Sequence, residues 1–230
     1  MHPAPVDVIV PVYNEEAALP AFHRRLTGLD LPVRPIYIDN GSTDGSLRLL
    51  HSFAGAVVIE HATNEGYGAS LRDGIRRATA ERIVIIDADC EYPPEAIPEM
   101  ISRLDQADVV YASRFLEPQQ TRMGWLKVFG NRVITRLFNL LFQQQLTDLY
   151  TGAKAFRREV VADLPMEQNG FEHVLEVAAR LARAGCRFAE VHVTFAPRAT
   201  GVSKMSHLSE TIKYMYYLGR YALTLDRGGR

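Results

Sequence analysis

The chain has 230 residues, of which 47% are hydrophobic and 23% are charged. This composition is typical of a folded globular domain and excludes an intrinsically disordered chain, which lacks the apolar material for a core. With 26 basic and 27 acidic residues, the formal net charge is −1, so we expect no nucleic-acid partner bound through a broad phosphate footprint. The length predicts a single domain over residues 1–230.

Neither a membrane-spanning segment nor a signal peptide is predicted. The longest uncharged runs, residues 49–59 and 137–147, have 11 residues each, whereas a spanning helix needs about 20 apolar residues. The two cysteines, Cys90 and Cys186, form no CxxC pair, so neither a disulfide framework nor a zinc site is predicted. We therefore expect a cytoplasmic protein.

The first half of the chain alternates short β-branched runs with helical patterns. Strands are predicted at residues 6–12, 35–38, 56–60 and 83–86, and helices at 16–26, 44–53 and 68–80. This alternation predicts an α/β fold with a mostly parallel central sheet and helices on both faces. Ligands of such sheets bind at the carboxyl ends of the strands. In this chain those ends carry Asn14-Glu15, Asp39-Asn40 and Asp87-Ala88-Asp89.

The second half has a different pattern. Helices are predicted at residues 96–104, 123–142, 172–184 and 208–225, and strands at 108–112, 151–156 and 191–195. This change divides the predicted domain into a first part over about residues 6–112, a second part over 113–204 and a C-terminal amphipathic helix over 205–230.

The strongest local pattern is an acidic pair after a buried strand. Asp87 and Asp89 are two residues apart, so an extended chain projects both carboxylates to the same side. Such a pair can bind a hard cation such as Mg²⁺ or Mn²⁺, and Glu91 can add a third oxygen. An isolated acidic pair is more often a solvated turn. Here the preceding apolar run and Pro93-Pro94 favour a rigid site.

Two further loops are rich in turn residues. Residues 39–45 predict a turn and a helix cap, which is compatible with Asp39 accepting hydrogen bonds from a nucleobase or ribose. Residues 64–68, which begin with Asn64, bring glycines to the start of a helix, where backbone N–H groups favour anions. The chain contains no GxxxxGK[ST] or GxGxxG motif, so neither a P-loop ATPase nor a Rossmann dehydrogenase is predicted.

The positive groups lie in the second half. Arg114, Arg132, Arg198 and Lys204 are each compatible with a solvated surface charge, but guanidinium groups and lysines also bind phosphate oxygens. Acidic strand ends followed by basic loops are consistent with a metal–diphosphate on one side of a site and a phosphate on the other.

These segments together resemble the family 2 glycosyltransferases of the GT-A fold. Within that family, the chain is most similar to the dolichol-phosphate (polyprenyl-phosphate) mannosyltransferases. The matching segments are residues 8–16, 38–45, 64–68, 87–89 with Pro93-Pro94, 113–115, 131–132, 147–152, 170–172 and 198–204. The resemblance therefore extends from residue 8 to about residue 204.

The resemblance implies a role for individual residues. Residues expected to bind the nucleotide sugar are Pro11, Tyr13, Glu15, Asp39, Asn64, Asp87 and Arg198. The implied metal ligands are Asp87, Asp89 and Glu91, and the implied catalytic residues are Asp89, Arg114, Arg132 and Lys204. Arg114 and Arg132 would face the acceptor phosphate, while Arg198 and Lys204 would close over the donor.

The implied reaction is an inverting, metal-dependent transfer of a hexose to a polyprenyl or dolichyl phosphate, with GDP-mannose as the favoured donor. The alternatives are a UDP-sugar donor such as UDP-glucose, a saccharide hydroxyl acceptor, a sugar nucleotidyltransferase, and a non-catalytic nucleotide-binding module. Three departures from the family pattern are Asn40, where many relatives have a second Asp; Glu91, where relatives often have Gln; and Thr151, where Ser or Cys is common.

A lipid acceptor also implies contact with the cytosolic face of a membrane. Residues 122–142 and the C-terminal helix both combine apolar, aromatic and basic residues, as interfacial helices do. Packing on the core or in a homodimer is the alternative for both helices. For residues 122–142, which include Trp125 and Phe129, we favour the membrane.

Overall fold

Seven strands form one sheet in the described part of the chain. The computed structural model describes residues 5–117, 124–194 and 207–224. The strands are β1 (Val6–Val12), β2 (Val33–Asp39), β3 (Val57–Glu60), β4 (Arg82–Ile86), β5 (Val109–Ser113), β6 (Ala153–Arg157) and β7 (Phe188–His192). Their order is β3-β2-β1-β4-β6-β5-β7. β6 is antiparallel to both of its neighbours, and the other pairs are parallel. The predicted mostly parallel sheet is therefore confirmed.

Helices cover both faces of this sheet. They are α1 (Leu19–Thr27), α2 (Ser46–Ser52), α3 (Tyr67–Arg77), α4 (Ile97–Arg103), α5 (Trp125–Phe142), α6 (Arg158–Val161), α7 (His173–Arg183) and α8 (His207–Thr224). A short 3₁₀ turn, Pro94–Ala96, precedes α4. The sequence did not predict α6, which is a single turn after β6.

The last strand differs most from its prediction. It was expected at residues 191–195, but β7 begins at Phe188, and residue 195 lies outside the described residues. The register explains the shift, because Phe188 pairs with Val109 and its ring meets the edge of Tyr111 at 5.7 Å between centroids. Cross-strand aromatic packing therefore extends the strand towards its N-terminus.

The sheet has a separate apolar core on each face because side chains alternate along its strands. In β2, Ile36 and Ile38 pack into one cluster, and Tyr37 packs into the other. The first cluster includes apolar side chains of α3, α5, α7 and α8, and the second includes those of α1 and α4. The strands read as continuous apolar runs because both faces are covered.

The strand directions bring the polar segments to one edge of the sheet. β1, β2, β4 and β5 all end at this edge, and the antiparallel β6 begins there, where Ala153 pairs with Ile86. The residues that follow β2, β4 and β5, and those that precede β6, therefore lie along the same edge. This is where ligands bind in open α/β sheets.

Candidate functional site

The loop after β1 is tied to the loop after β2. The backbone N–H of Asn14 donates to Ser42 Oγ at 3.0 Å, and that of Thr43 donates to Asn14 Oδ1 at 2.8 Å. Glu15 donates its backbone N–H to Ser46 Oγ at 2.9 Å. Asn14 has a φ of 55°, a left-handed conformation that asparagine tolerates better than most residues. These bonds hold the ends of β1 and β2 as one wall of the site.

Asp39 has an orphaned oxygen in this wall. The residue is 2% exposed, and its Oδ2 accepts the backbone N–H of Ser42 at 3.1 Å. Its Oδ1 is buried and has no hydrogen-bond partner among the described residues. A buried carboxylate oxygen without a donor is costly, so the position suits a ligand that donates a hydrogen bond. Pro11 lies next to the end of β1, and Tyr13 is the first residue after that strand, on the same edge of the sheet.

Asn64 connects the loop after β3 to the loop after β2. Its Oδ1 accepts from Asn40 Nδ2 at 3.1 Å and from the backbone N–H of Gly66 at 3.0 Å. Asn40, the departure from the family pattern, accepts the backbone N–H of Glu65 through Oδ1 at 2.8 Å. The amide of Asn40 thus makes contacts as both donor and acceptor. Direct contact between Asn64 and a nucleotide stays a prediction.

The N-terminus of α3 does not have the anion-binding arrangement that the sequence suggested. The backbone N–H groups of Gly68 and Ala69 donate to the carbonyl oxygen of Asn169, at 2.7 and 3.4 Å. A Cβ at Gly66 would overlap Asn169 O, and one at Gly68 would overlap Gln168 O. The glycines therefore allow close approach of the loop before α7, and that expectation was wrong.

The acidic pair lies in a tight turn after β4. Asp87 Oδ1 accepts the hydroxyl of Tyr67 at 3.1 Å, and a Cβ at Gly152 would overlap Asp87 Oδ2. Asp89 Oδ1 accepts the backbone N–H of Glu91 at 2.9 Å. Burial and the Asp87 carboxylate raise the pKa of Tyr67 well above its usual value, so Tyr67 remains a donor. Asp87, Asp89 and Glu91 thus share one short segment, and hard divalent cations prefer carboxylate ligands. Among the described residues their oxygens do not all lie within 4.8 Å of one another.

A buried lysine lies behind this turn. Lys154, in β6, is 4% exposed and donates to the carbonyl oxygen of Thr151, with its Nζ 5.3 Å from the centroid of the Tyr111 ring. Burial lowers its pKa to about 8, although Asp87 and Asp148 act in the opposite direction. Lys154 is not among the residues predicted from the sequence. A lysine between two alanines of an apolar strand is the feature that could have identified it.

Arg114 forms a buried ion pair with Asp148. Its Nε and Nη2 donate to the two carboxylate oxygens at 2.7 and 2.9 Å, and Nη2 also donates to Tyr150 O at 3.0 Å. The side chains of Arg114 and Asp148 are 7% and 0% exposed. Asn131 Nδ2 donates to the same carboxylate at 2.7 Å. This differs from the expected direct exposure of Arg114 to an acceptor phosphate, because the carboxylate already occupies two of its three nitrogens.

Arg132 is an exposed basic residue of this region. Its guanidinium carbon lies 5.8 Å from the centroid of the Phe115 ring, and that of Arg114 lies 5.5 Å from the same ring. The structure thus brings the two predicted arginines together around Phe115. Arg198 and Lys204 lie outside the described residues.

A second group of ligand-type side chains lies at the end of β3. One ligand atom each from His61, Glu65 and Asp73 falls within 4.8 Å of the others. This group is distinct from Asp87 and Asp89. No histidine is predicted as a ligand from the sequence, because the histidines match no common metal-binding spacing.

The family model for glycosyl transferase family 2 matches residues 7–164. This range covers more than half of the chain and includes all three of the polar strand ends predicted from the sequence. The chain is a family 2 glycosyltransferase. The family predicted from the motifs is therefore confirmed.

Two relatives agree with the assignment to glycosyl transferase family 2. The chain is 32% identical over 222 residues to undecaprenyl-phosphate 4-deoxy-4-formamido-L-arabinose transferase of Pseudomonas aeruginosa, an alignment that covers 90% of this chain and 62% of the relative. It is 28% identical over 201 residues to an uncharacterized glycosyltransferase of Mycobacterium tuberculosis, covering 87% of this chain and 89% of the relative.

Glucosyl-3-phosphoglycerate synthase of M. tuberculosis, crystallised with Mn²⁺, UDP and glucosyl-3-phosphoglycerate, has a TM-score of 0.75 at 19% identity. That match covers 98% of this chain and 82% of the synthase, and it shows the shared fold. The chain has the GT-A fold.

Proposed function

We propose that this glycosyltransferase moves a sugar from a nucleotide-diphosphate donor to the phosphate of a polyprenyl lipid. The observation that carries the proposal is the buried Oδ1 of Asp39, which has no hydrogen-bond partner within residues 5–117, 124–194 and 207–224 and lies on the same sheet edge as Asp87 and Asp89. A hydrogen-bond acceptor for the nucleoside thus lies along one edge with the carboxylates for a diphosphate-bound cation.

The cation would be Mn²⁺ or Mg²⁺, held by Asp87, Asp89 and Glu91. All three are carboxylates in one turn, the ligand type that such an ion prefers, and Tyr67 orients Asp87. Binding the ion would draw the three side chains closer together, since their oxygens do not all lie within 4.8 Å of one another. Bound there, the ion would neutralise the charge that develops on the leaving diphosphate. The neighbour crystallised with Mn²⁺ and UDP supports this assignment.

The acceptor side would be built on Arg132. Its side chain is exposed beside Phe115, and its guanidinium can bind phosphate oxygens. Arg114, held by Asp148, positions Phe115 and the end of β5. The similarity to an undecaprenyl-phosphate transferase supports a lipid phosphate as the acceptor.

A phosphate acceptor simplifies the chemistry. A phosphate monoester is anionic near pH 7, so its oxygen can attack the anomeric carbon in line as the diphosphate leaves, with inversion and without a general base. A saccharide hydroxyl, the alternative acceptor, would require a base to take its proton. The sequence context marks no carboxylate or histidine for that role, which favours the phosphate.

Two nucleotide sugars are candidates for the donor, GDP-mannose and a UDP-sugar. The motif resemblance favours GDP-mannose, whereas the solved neighbours crystallised with UDP or UDP-sugars favour the UDP alternative. Thermal-shift measurements with Mn²⁺ and either GDP or UDP distinguish them, because the base that binds should raise the melting temperature at a lower concentration.

The decisive experiment measures nucleotide release. The chain is incubated with GDP- and UDP-sugars, Mn²⁺ and a detergent-solubilised polyprenyl phosphate, and the released nucleotide and the glycolipid are measured. Asp89→Ala should abolish release while the fold is retained, and Glu99→Gln, an exposed change on α4, should not alter it.

Two outcomes contradict the proposal. Release of pyrophosphate would identify a nucleotidyltransferase. Nucleotide binding without turnover on a broad panel of donors and acceptors would identify a binding module.

A further inference from the structure

The group His61, Glu65 and Asp73 is the strongest feature that the proposed reaction does not use. The group lies where β3 leads into α3. Its His61 contacts the amide of Asn40, which follows β2 in the wall formed by the ends of β1 and β2. Hydrogen bonds outside this group determine which ring nitrogen of His61 carries a proton.

The amide of Asn40 has a fixed orientation. Its Oδ1 accepts the backbone N–H of Glu65 at 2.8 Å, and its Nδ2 donates to Asn64 Oδ1 at 3.1 Å. Asn64 Oδ1 is fixed in turn by the backbone N–H of Gly66 at 3.0 Å. The atom of Asn40 that faces His61 is therefore an oxygen, which cannot donate.

It follows that Nδ1 of His61 is the donor in its 3.1 Å contact with Asn40 Oδ1. In the neutral imidazole, Nε2 then carries a lone pair, and it lies 3.2 Å from Asp73 Oδ2. Two acceptors at this distance do not form a hydrogen bond. The side chain of His61 is 6% exposed, so water cannot readily separate them.

Either a second ring proton, which makes His61 an ion-pair partner of Asp73, or a metal ion resolves this conflict, and the third ligand-type side chain favours the metal. One ligand atom each from His61, Asp73 and Glu65 lies within 4.8 Å of the other two, as ligands of one ion do, and the ring nitrogen that faces Asp73 is Nε2. Histidine ligands usually donate their other ring N–H to an oxygen of a neighbouring group, and Nδ1 of His61 does so. One nitrogen and two carboxylate oxygens form a ligand set that Zn²⁺ accepts, with water completing a tetrahedron.

We propose that His61, Glu65 and Asp73 bind a divalent transition-metal ion of the Zn²⁺ class. The ion would connect α3 to the loop after β3 and, through Asn40, to the wall that carries Asp39. Its role would be structural, because it is separate from the acidic pair after β4. Arg76 approaches the other oxygen of Asp73 at 3.3 Å, but its side chain is 68% exposed, so this contact is a weak competitor.

The test uses the chelator-treated full chain with Asp87→Asn and Asp89→Asn, so that the acidic pair does not compete. Titration calorimetry with ZnCl₂ should detect one ion per chain, and Zn²⁺ should raise the melting temperature. Adding His61→Gln should weaken Zn²⁺ binding at least tenfold. Glu65→Gln changes an exposed side chain and leaves the core intact, and it should weaken Zn²⁺ binding several-fold. If His61→Gln does not fold, the result with Glu65→Gln decides whether the site binds Zn²⁺.

His51→Gln is the matched control. His51 contacts Glu60 at 3.0 Å, and both side chains are about half exposed, so this pair reports non-specific binding by a surface histidine. His51→Gln should leave the affinity unchanged. No Zn²⁺ uptake, or equal affinity in Glu65→Gln and its parent, would overturn the proposal. It would also fail if ¹⁵N NMR showed both nitrogens of His61 protonated in the presence of excess Zn²⁺, since that state is a simple ion pair with Asp73.

Discussion

At the scale of single residues, the buried charges of the second half act mainly on one another. Arg114 and Asp148 are almost completely buried and share hydrogen bonds with Asn131 and Tyr150. A buried ion pair adds little net stability when intact, but removing one partner leaves an uncompensated charge. This pair therefore fixes the position of the loop before β6.

We predict that Asp148→Ala lowers the free energy of unfolding by about 3–5 kcal/mol, because it leaves the Arg114 guanidinium buried without its carboxylate. The matched control is Asp105→Ala. Asp105 pairs with Arg82 at 2.7 Å, but its side chain is 63% exposed, so the loss should stay below about 1 kcal/mol. Urea unfolding measures both changes, and equal losses would contradict the buried pair.

His173 gives the protein an acid-sensitive stability. Burial lowers its pKa to about 3, from an ordinary value of 6.5. As the pH falls below about 6.5, the unfolded chain therefore takes up a proton that the folded chain does not. The stability from a neutral His173 is complete above that pH and is lost progressively as the pH falls towards 3.

The measurement compares the wild type with His173→Gln between pH 7 and pH 4.5. The free energy of unfolding of the wild type should fall relative to the variant, by at most about 1.4 kcal/mol per pH unit. His51→Gln, at a half-exposed position, should follow the wild type. A constant difference between the wild type and His173→Gln would mean that His173 titrates alike in both states.

At the scale of elements, α3 depends on a segment that is distant in sequence. Its first N–H groups donate to Asn169 O, and Gly68 has no room for a side chain beside Gln168 O. This contact joins α3 to the loop before α7. Glycine is required at residue 68 because two backbones approach closely there.

We predict that Gly68→Ala lowers the free energy of unfolding by about 2 kcal/mol or more, because its Cβ must displace backbone atoms. Gly130→Ala is the opposite case. A Cβ at Gly130, within α5, meets no atom within 4 Å, so this change should raise stability by up to about 1 kcal/mol through helix propensity. Thermal unfolding tests both, and a neutral Gly68→Ala would show that the loop can move away.

The elements differ in how far the sequence could predict them. Buried parallel strands are continuous apolar runs, so β1 and the polar residues at its end could be located directly, and so could the acidic pair after β4. The pairing of Arg114 with Asp148, which is 34 residues away, could not be predicted from the sequence. It depends on β6 entering the sheet antiparallel between β4 and β5. The imidazole of His61 was also missed, since its partners become neighbours only when two loops and a helix pack together.

At the scale of the whole molecule, one long helix has two apolar sides. On one side of α5, Ile134, Phe138 and Phe142 are buried in the core. On the other, Trp125 is 74% exposed and Phe129 is 63% exposed. None of the described helices is both long and apolar enough to cross a bilayer.

The exposed side of α5 is interleaved with basic residues. Arg132 follows Trp125 by seven residues, and Arg136 follows Phe129 by seven residues. Each arginine therefore shares the face of the helix that carries the aromatic residue before it. Apolar and aromatic side chains among basic ones are typical of helices that lie in a membrane interface. We infer that this face docks on anionic lipid and brings the acceptor phosphate to Arg132.

We predict that Trp125→Glu/Phe129→Glu lowers binding to vesicles of phosphatidylcholine and phosphatidylglycerol at least tenfold, because it removes the aromatic anchors and adds charge that the lipid repels. Ala21→Glu/Thr27→Glu, on the exposed face of α1, adds the same charge elsewhere and should bind like the wild type. Co-sedimentation measures vesicle binding by the wild type and both variants.

Turnover of a short-chain, water-soluble polyprenyl phosphate should survive in both variants, since the substitutions on α5 affect only delivery of the membrane-bound lipid. Equal vesicle binding by both variants would contradict docking through α5 and would favour an interface between protein chains on this face.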